Sequence, residues 1–443
     1  MRNFLIISLL ASIGFSCRTI KPALQTENVF AKMLDTSKVF SQNFTGFSLY
    51  DLEKQQTIFE RNADRYFTPA SNTKLYTFYA CLKTLGDSIP ALRYAVHNDS
   101  LIFWGTADPT MMHPDLKNTK VLDFLKSQRK TKKLFFSDGN FAQEVFGDGW
   151  AWNDYNDYYQ PELSPLPMYG NIVRFSIKNK ELDVQPEIFK TTIYKKPIAA
   201  NFIKRAVADN QFFVPQNLAQ LADSPNGGTS YQQDIPYKTS TGLTQQLLMD
   251  TLHKNVNLLK MPVPKDAQTI YSSATEPVYR LMLQESDNFL AEHLLLLCGS
   301  TATDTISSSL SINYIKNKYL QDLPDAPKWA DGSGLSRYNL FTPRTTVKLL
   351  QKIYAELPQE KLFSLLPAGG QVGTIRGMFG GEAKPYVFAK SGSLGGVYNL
   401  SGYLLTKQGK ILLFSLMNNN FMRKTGEIRK EVEKVLKWTH ENY

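Results

Sequence analysis

The stretch TPASNTKLYTFYA, Thr68–Ala80, sets a serine three places before a lysine, just after a proline and at the head of an apolar run. Leu75, Phe78, Leu82 and Leu85 recur at helical spacing and Gly86 supplies a stop, so the run predicts a buried helix with Ser71 in its first turn. Residues three apart share a helix face, which puts the Lys74 ammonium beside the Ser71 hydroxyl. A lysine held among apolar groups has a lowered pKa and takes a proton from a serine. The same four residues also describe a helix N-cap followed by a surface lysine, so the wider sequence must decide between the two.

Upstream, TENVFAKMLDTSKVF reads as a short helix and TGFSLYDLEKQQTIFER as a hairpin with alternating apolar positions. At the far end YVFAK, YNLSGYLLT and ILLFSLMNN read as three strands. The closing run EIRKEVEKVLKWTH places Ile428, Val432, Val435 and Leu436 on one helix face. Strands at both ends with helices beside them predict one α+β domain, an antiparallel sheet with helices, assembled from residues 22–90 and 265–443. Residues 91–264 would be an inserted, mainly β region. They hold short strand-like pieces, many turn residues and the aromatic cluster GWAWNDYNDYY, with no internal repeat. Beyond them, TEPVYRLMLQESDNFLAEHLLLLCG reads as helix, polar break, helix, and Thr342-Pro343 as the start of another helix.

At 443 residues the chain exceeds one compact core, and 42% hydrophobic content with 22 Tyr and 27 Phe excludes disorder as a whole. The net charge of +10 is spread without a dense run, and no basic-aromatic signature appears, which argues against a nucleic-acid partner. The opening MRNFLIISLLASIGFSC reads as an export signal over residues 1–17. Cys17 is a candidate for a lipid anchor, although Gly14 and Phe15 stand where bacterial lipoproteins usually carry leucine and a small residue. The expected location is therefore the cell envelope, periplasmic or outer-surface after export. Cys81 and Cys298 fall in apolar helical runs and are expected as buried thiols. Five scattered histidines without ligand spacing, no Gly-x-Ser-x-Gly elbow and no phosphate-binding glycine loop predict neither metal nor cofactor.

Three short patterns stand in order: Ser71-Asn72-Thr73-Lys74, Ser286-Asp287-Asn288 and Lys390-Ser391-Gly392. Acyl transfer from a peptide needs a nucleophile, a base, a proton route to the leaving amine, an oxyanion hole and a substrate anchor. Ser71 is the candidate nucleophile, Lys74 the base and Ser286 the proton route. Asn288 is placed to bond the substrate amide, and Lys390 with the Ser391 hydroxyl to hold a terminal carboxylate. The backbone N–H groups of Ser71 and Ser393, across Gly392, are the oxyanion candidates.

The segments FTPASNTKLYT, GWAWNDYNDYY, ESDNFLAEHLLLLCG, DGSGLSRYNLFTPR, LPAGGQVGTIRGMF, AKSGSLGGVYNLSGYL and FSLMNNN, in this order, resemble the peptidase family S13 penicillin-binding proteins. These are the low-molecular-mass class C D-alanyl-D-alanine carboxypeptidases and endopeptidases that trim peptidoglycan. The resemblance implies a β-lactamase/transpeptidase-like fold with extra domains inserted between the first two motifs. It also implies peptidoglycan stem peptides as substrates and β-lactam antibiotics as covalent inhibitors. By the same resemblance Asp154, Tyr159 and Arg337 line a pocket for the stem-peptide side chain. Two positions depart from the family: Ser391 replaces a threonine of Lys-Thr-Gly and keeps the hydroxyl, and Gly395 stands where some relatives carry a larger polar residue.

Two other functions share the motifs. A class A β-lactamase uses a glutamate between the second and third motifs to activate water, and Leu294 to Ala355 contains none. A catalytically silent wall-binding protein would be marked by loss of Ser71 or Lys74, and both are present.

Overall fold

The computed structural model describes residues 22–129, 132–178, 181–196, 202–216 and 231–443. The expected export signal and Cys17 lie outside the described residues. The two ends of the chain meet in one antiparallel sheet. The hairpin β1 (Phe44–Asp51) and β2 (Gln56–Arg61) joins three strands from the C-terminal end, so that β1 pairs with the last strand of the chain. Gly46 faces Met417 and Leu49 faces Phe414 across that pairing, a ladder that closes nearly the whole sequence into one unit. Helix α1 (Pro22–Thr36) precedes the hairpin, and α2 (Thr73–Thr84) follows it as the buried helix expected from the apolar spacing.

The middle of the chain then leaves this sheet. Strands β3 (Ser88–His97) and β4 (Ser100–Gly105), helix α3 (Lys120–Ser127) and β5 (Lys133–Ser137) begin a second five-stranded sheet. Two small sheets follow, made from β6 (Ile172–Lys178), β7 (Glu181–Gln185), β8 (Ile193–Lys196), β9 (Lys204–Arg205), β10 (Phe212–Pro215) and β11 (Gln232–Pro236). Helix α4 (Thr241–Leu252) leads to β12 (Val256–Leu258) and β13 (Gln268–Ala274), which flank the second sheet in the order β12-β5-β4-β3-β13. Because β3 and β13 pair with one another, this sheet is rooted a few residues outside 91–264 at either end. Its core is its own, with Leu101, Phe103, Phe136, Val173, Phe175 and Leu248 all buried together.

The chain returns through α5 (Thr275–Gln284), α6 (Asn288–Thr303), α7 (Ser308–Tyr319), α8 (Pro343–Glu356) and α9 (Gln359–Leu365). It ends in β14 (Val387–Leu394), β15 (Val397–Leu405), β16 (Ile411–Asn419) and α10 (Thr425–Asn442). Thr342 caps α8 by accepting from the Thr345 N–H, with Pro343 at the first helical position. The first sheet runs β14-β15-β16-β1-β2 and carries helices on both faces. Phe30 of α1 and Ile428, Val432 and Leu436 of α10 pack with Phe47 and Leu400 on one face. On the other, Leu75 and Phe78 of α2, Leu290 and Leu294 of α6 and Leu350 of α8 pack with Tyr403 and Leu413. Helix α6 is buried nearly all round, as its unbroken apolar run requires. Cys81 and Cys298 are buried free thiols whose sulfurs touch at 3.7 Å between α2 and α6.

Candidate active site

The head of α2 is set by a strained turn. Ala70 takes a left-handed backbone (φ +48°), Ala70–Asn72 form a single 3-10 turn, and the α-helix proper begins at Thr73. Ser71 therefore stands two residues before the α-helix rather than in its first turn. A left-handed alanine is uphill by about 1–2 kcal/mol and survives only where its surroundings determine it. The Thr73 hydroxyl donates to the Ala70 carbonyl at 2.9 Å, and Asn72 Nδ2 donates to Ser401 Oγ of β15 at 2.7 Å. Gly334, at φ +87°, lies so close that a Cβ on it would fall 1.9 Å from the same carbonyl oxygen.

Lys74 is fully buried one turn on. Its Nζ donates to Ser71 Oγ at 3.1 Å, Asn288 Oδ1 at 2.6 Å and the Ser333 carbonyl at 2.9 Å, so every donor has a partner. Burial pushes its pKa down from 10.5 to about 8, against the opposing pull of Glu292, Asp287 and Asp331. A shift of that size makes about a tenth of the lysine neutral at pH 7, where an ordinary lysine has only a few molecules in ten thousand neutral. In its neutral form the nitrogen carries a lone pair within reach of the Ser71 hydroxyl proton.

The second motif occupies the break between α5 and α6. Asp287 caps α6 by accepting from the Leu290 N–H at 2.8 Å, which fixes Asn288 at the first helical position. Asn288 Nδ2 donates to the Tyr159 carbonyl at 2.9 Å while Oδ1 holds Lys74. Ser286 is left-handed (φ +61°) and lines the cleft; among the described residues it forms no hydrogen bond to either lysine.

The third motif lies on β14, the edge strand beside Ser71. Lys390 is fully buried and donates to the Ser391 carbonyl at 2.9 Å; burial, reinforced by the charge of Lys74 and opposed by Glu285, holds its pKa well below the usual lysine range. Ser391 Oγ donates to Thr374 Oγ1 at 2.7 Å. Gly392 is needed for close approach: a Cβ there would fall 2.5 Å from the Pro69 carbonyl oxygen and 2.9 Å from the Ser71 nitrogen. Ser393 stands exposed at the mouth.

These groups open on one cleft of about 930 Å³, within the size range of small-molecule sites. Ser71, Ser286, Asn288, Ser391 and Ser393 line it together with Asp154, Tyr159 and Arg337. The Tyr159 hydroxyl donates to Asp157 at 3.3 Å, and Arg337 Nη2 donates to the Gly395 carbonyl at 3.2 Å. The inserted region reaches the same cleft through Asp115 and Asp234.

Three supports were not drawn from the sequence. Glu292, one turn into α6, accepts from the Gly332 and Ser333 N–H groups at 2.8 and 2.7 Å. Burial, with the charge of Asp331, pushes its carboxyl well up. Asp331 accepts from the Gly334 and Ser336 N–H groups, Asn339 Nδ2 and Trp150 Nε1. These two carboxylates shape the loop whose Ser333 carbonyl holds Lys74. Thr374 supports Ser391. The segments DGSGLS and QVGTIRG carried the signal, as polar groups inside otherwise apolar surroundings, but nothing in their spacing assigns a partner.

Residues 25–441 match the model of the D-Ala-D-Ala carboxypeptidase 3 (S13) family. The chain is 24% identical to the D-alanyl-D-alanine carboxypeptidase DacB of Haemophilus influenzae, over 97% of this chain and 94% of that protein. It is 26% identical to the D-alanyl-D-alanine carboxypeptidase of Actinomadura sp. strain R39, over 85% and 77%. The crystal structure of penicillin binding protein 4 (dacB) from Haemophilus influenzae superposes with a TM-score of 0.74 at 20% identity, covering 93% of this chain and 99% of that one, and shows the shared penicillin-binding-protein fold. The chain belongs to the D-Ala-D-Ala carboxypeptidase 3 (S13) family and is a serine-type carboxypeptidase hydrolase.

Proposed function

We propose that the protein is a penicillin-binding DD-peptidase that works through an acyl-enzyme on Ser71, removing terminal D-alanine from peptidoglycan stem peptides or opening their D-Ala cross-links. The observation that carries this reading is the buried Lys74 ammonium, donor-bonded to Ser71 and with its pKa lowered to about 8. Ser71 Oγ adds to the carbonyl carbon of the penultimate D-alanine as its proton passes to neutral Lys74 Nζ. The Ser71 and Ser393 N–H groups receive the oxyanion. The C–N bond then breaks, with the proton reaching the leaving amine through Ser286. Water adds to the ester with Lys74 again the base, releasing the shortened peptide and restoring Ser71. Asn288 orients the substrate amide, and Lys390, Ser391 and the chain around Gly392 anchor its carboxylate.

Asp154, Tyr159 and Arg337 form the proposed side-chain pocket. Residues 22–90 with 265–443 form the proposed catalytic unit and 91–264 the insertion. Such substrates place the enzyme outside the cytoplasm. No described helix is long and apolar enough to cross a membrane.

The β-lactamase alternative is disfavoured by the placement of the glutamates near the two lysines. Glu292 is buried and held by two backbone N–H groups away from the cleft, and Glu285, which lines the cleft, precedes the second motif instead of lying between the second and the third. The experiment is intact-mass measurement after mixing with penicillin, run beside product analysis on isolated muropeptides. The expected result is one long-lived adduct on Ser71 together with repeated release of D-alanine or of un-cross-linked peptide. Rapid catalytic loss of the drug would favour a β-lactamase, and neither adduct nor cleavage a silent wall-binding protein.

A further inference from the structure

Helix α10 presents Arg429 to the cleft, beside Thr374, Ser391, Ser393 and Gly395. Its guanidinium lies 5.3 Å from the ring centroid of Tyr398, which faces Ser393 directly across the β14–β15 ladder. The guanidinium thus comes from the helix-covered face of the sheet around its edge to the strand that carries the third motif. Among the described residues Arg429 forms no ion pair. Glu433, one turn on and the obvious partner, accepts instead from the Phe379 backbone N–H. The cleft is also lined by the carboxylates of Asp115, Asp154, Asp234, Glu285 and Asp287. A half-buried guanidinium without an ion pair, its Nε without a hydrogen-bond partner and standing among the hydroxyls of Thr374, Ser391 and Ser393 on the cleft lining, fits an incoming carboxylate in fork geometry.

We propose that Arg429 is a substrate-binding residue that holds the carboxylate next to the scissile amide, sharing it with the Ser391 hydroxyl. The assignment rests on the DD-peptidase reading above and adds a specificity determinant to it. The work is divided between two cations. Lys390 is fully buried and donates to the carbonyl of its own strand, so it braces the third motif. Arg429 supplies the planar fork that selects a planar anion. Carboxylate-terminated peptides and the carboxylate of a penicillin would both be drawn to this end of the cleft, while a C-terminal carboxamide offers no charge to pair.

The test compares wild type, Arg429→Gln and Arg429→Lys on two acylated D-Ala-D-Ala peptides, one with a free C-terminal carboxylate and one with a carboxamide. Arg429→Gln should lower kcat/KM for the carboxylate peptide by about ten- to a hundredfold, mainly through KM, the scale of a charge-assisted hydrogen bond. Turnover of the carboxamide should stay within about twofold, and Arg429→Lys should recover part of the loss because charge returns without the fork. Penicillin acylation should slow in step with the carboxylate peptide. An equal loss on both peptides, with a lowered melting temperature, would assign Arg429 to support of Tyr398 and overturn the proposal, as would no loss on either. Failure of the wild type to cleave any peptide would instead bring down the DD-peptidase reading, and this assignment with it.

Discussion

The two sides of the cleft are built in opposite ways. Around Lys74 the frame is buried and over-determined: the lysine is held by Ser71, Asn288 and the Ser333 carbonyl, and the loop that bears Ser333 by the buried Glu292 and Asp331. Around Asp154, Tyr159 and Arg337 the groups stand on loops and are partly exposed, and each holds the frame by a single bond or a main-chain contact. In the proposed mechanism the chemistry repeated on every substrate is carried by the over-determined side. Contacts that vary with the substrate's side chain fall on the adaptable one. Substitutions should therefore fail in different ways on the two sides.

The largest effect is expected at Ser71. Ser71→Ala removes the atom proposed to bond covalently to substrate while leaving Lys74 two of its three acceptors, so the protein should fold and still bind peptide. Penicillin adduct should vanish and turnover should fall by more than about 10⁴-fold. Residual acylation at another residue, seen by mass, would break the comparison at its root.

Lys74 comes next. Lys74→Arg keeps the charge but cannot become neutral, and should lose about 10²- to 10⁴-fold in acylation, the range of a general base. In the wild type the base form of Lys74 accumulates as pH rises towards its pKa of about 8, so kcat/KM should climb through pH 6–8 and level off above it. Glu292→Gln removes the strongest pull holding that pKa up, and should move the rising limb to lower pH. A limb unmoved by either substitution would take Lys74 out of the base role.

Gly334→Ala probes the frame. The new Cβ meets the Ala70 carbonyl oxygen and its position is left-handed, costing about 2–4 kcal/mol from strain and overpacking together. Melting temperature and acylation rate should fall together, since the displaced carbonyl belongs to the residue before Ser71. An active, normally stable variant would show that the turn is less tightly specified than its contacts suggest.

The same contrast explains what could be read from sequence. Apolar spacing gave α2 and α10, an apolar run after a polar break gave α6, and alternation gave the β1–β2 hairpin, because such patterns survive in a linear chain. Three short motifs marked Ser71, Lys74, Asn288 and Lys390 because residues close in sequence share a helix face or a strand end. What stayed hidden depends on contacts between distant segments. Nothing near Glu292 announces that its carboxylate meets Gly332 and Ser333, and Arg429 looked like one more basic residue on an amphipathic helix. The offset of Ser71 into a 3-10 turn was equally invisible, since it rests on the left-handed Ala70 that Thr73 and Gly334 enforce.

The smallest effect, and the sharpest for the adaptable side, is expected at Arg337. Among the described residues its guanidinium is bonded only to the Gly395 carbonyl, so its charge is free for a substrate carboxylate, while Asp154 lines the same cleft and offers the opposite charge. If the stem peptide carries a zwitterionic diamino acid, its ammonium pairs with Asp154 and its carboxylate with Arg337. Both pairs are solvent-facing, and exposed ion pairs contribute about 0.2–1 kcal/mol each. Arg337→Ala should then reduce kcat/KM by only about two- to tenfold for peptides with the free side-chain carboxylate, and less than twofold when that carboxylate is amidated or the side chain shortened. Raising the salt should shrink the difference for the wild type, because screening acts on exposed charges far more than on the buried Lys74 centre. Equal losses on all peptides, insensitive to salt, would mean that Arg337 serves only to hold the Gly395 turn, and that the pocket's selectivity resides elsewhere on the cleft wall.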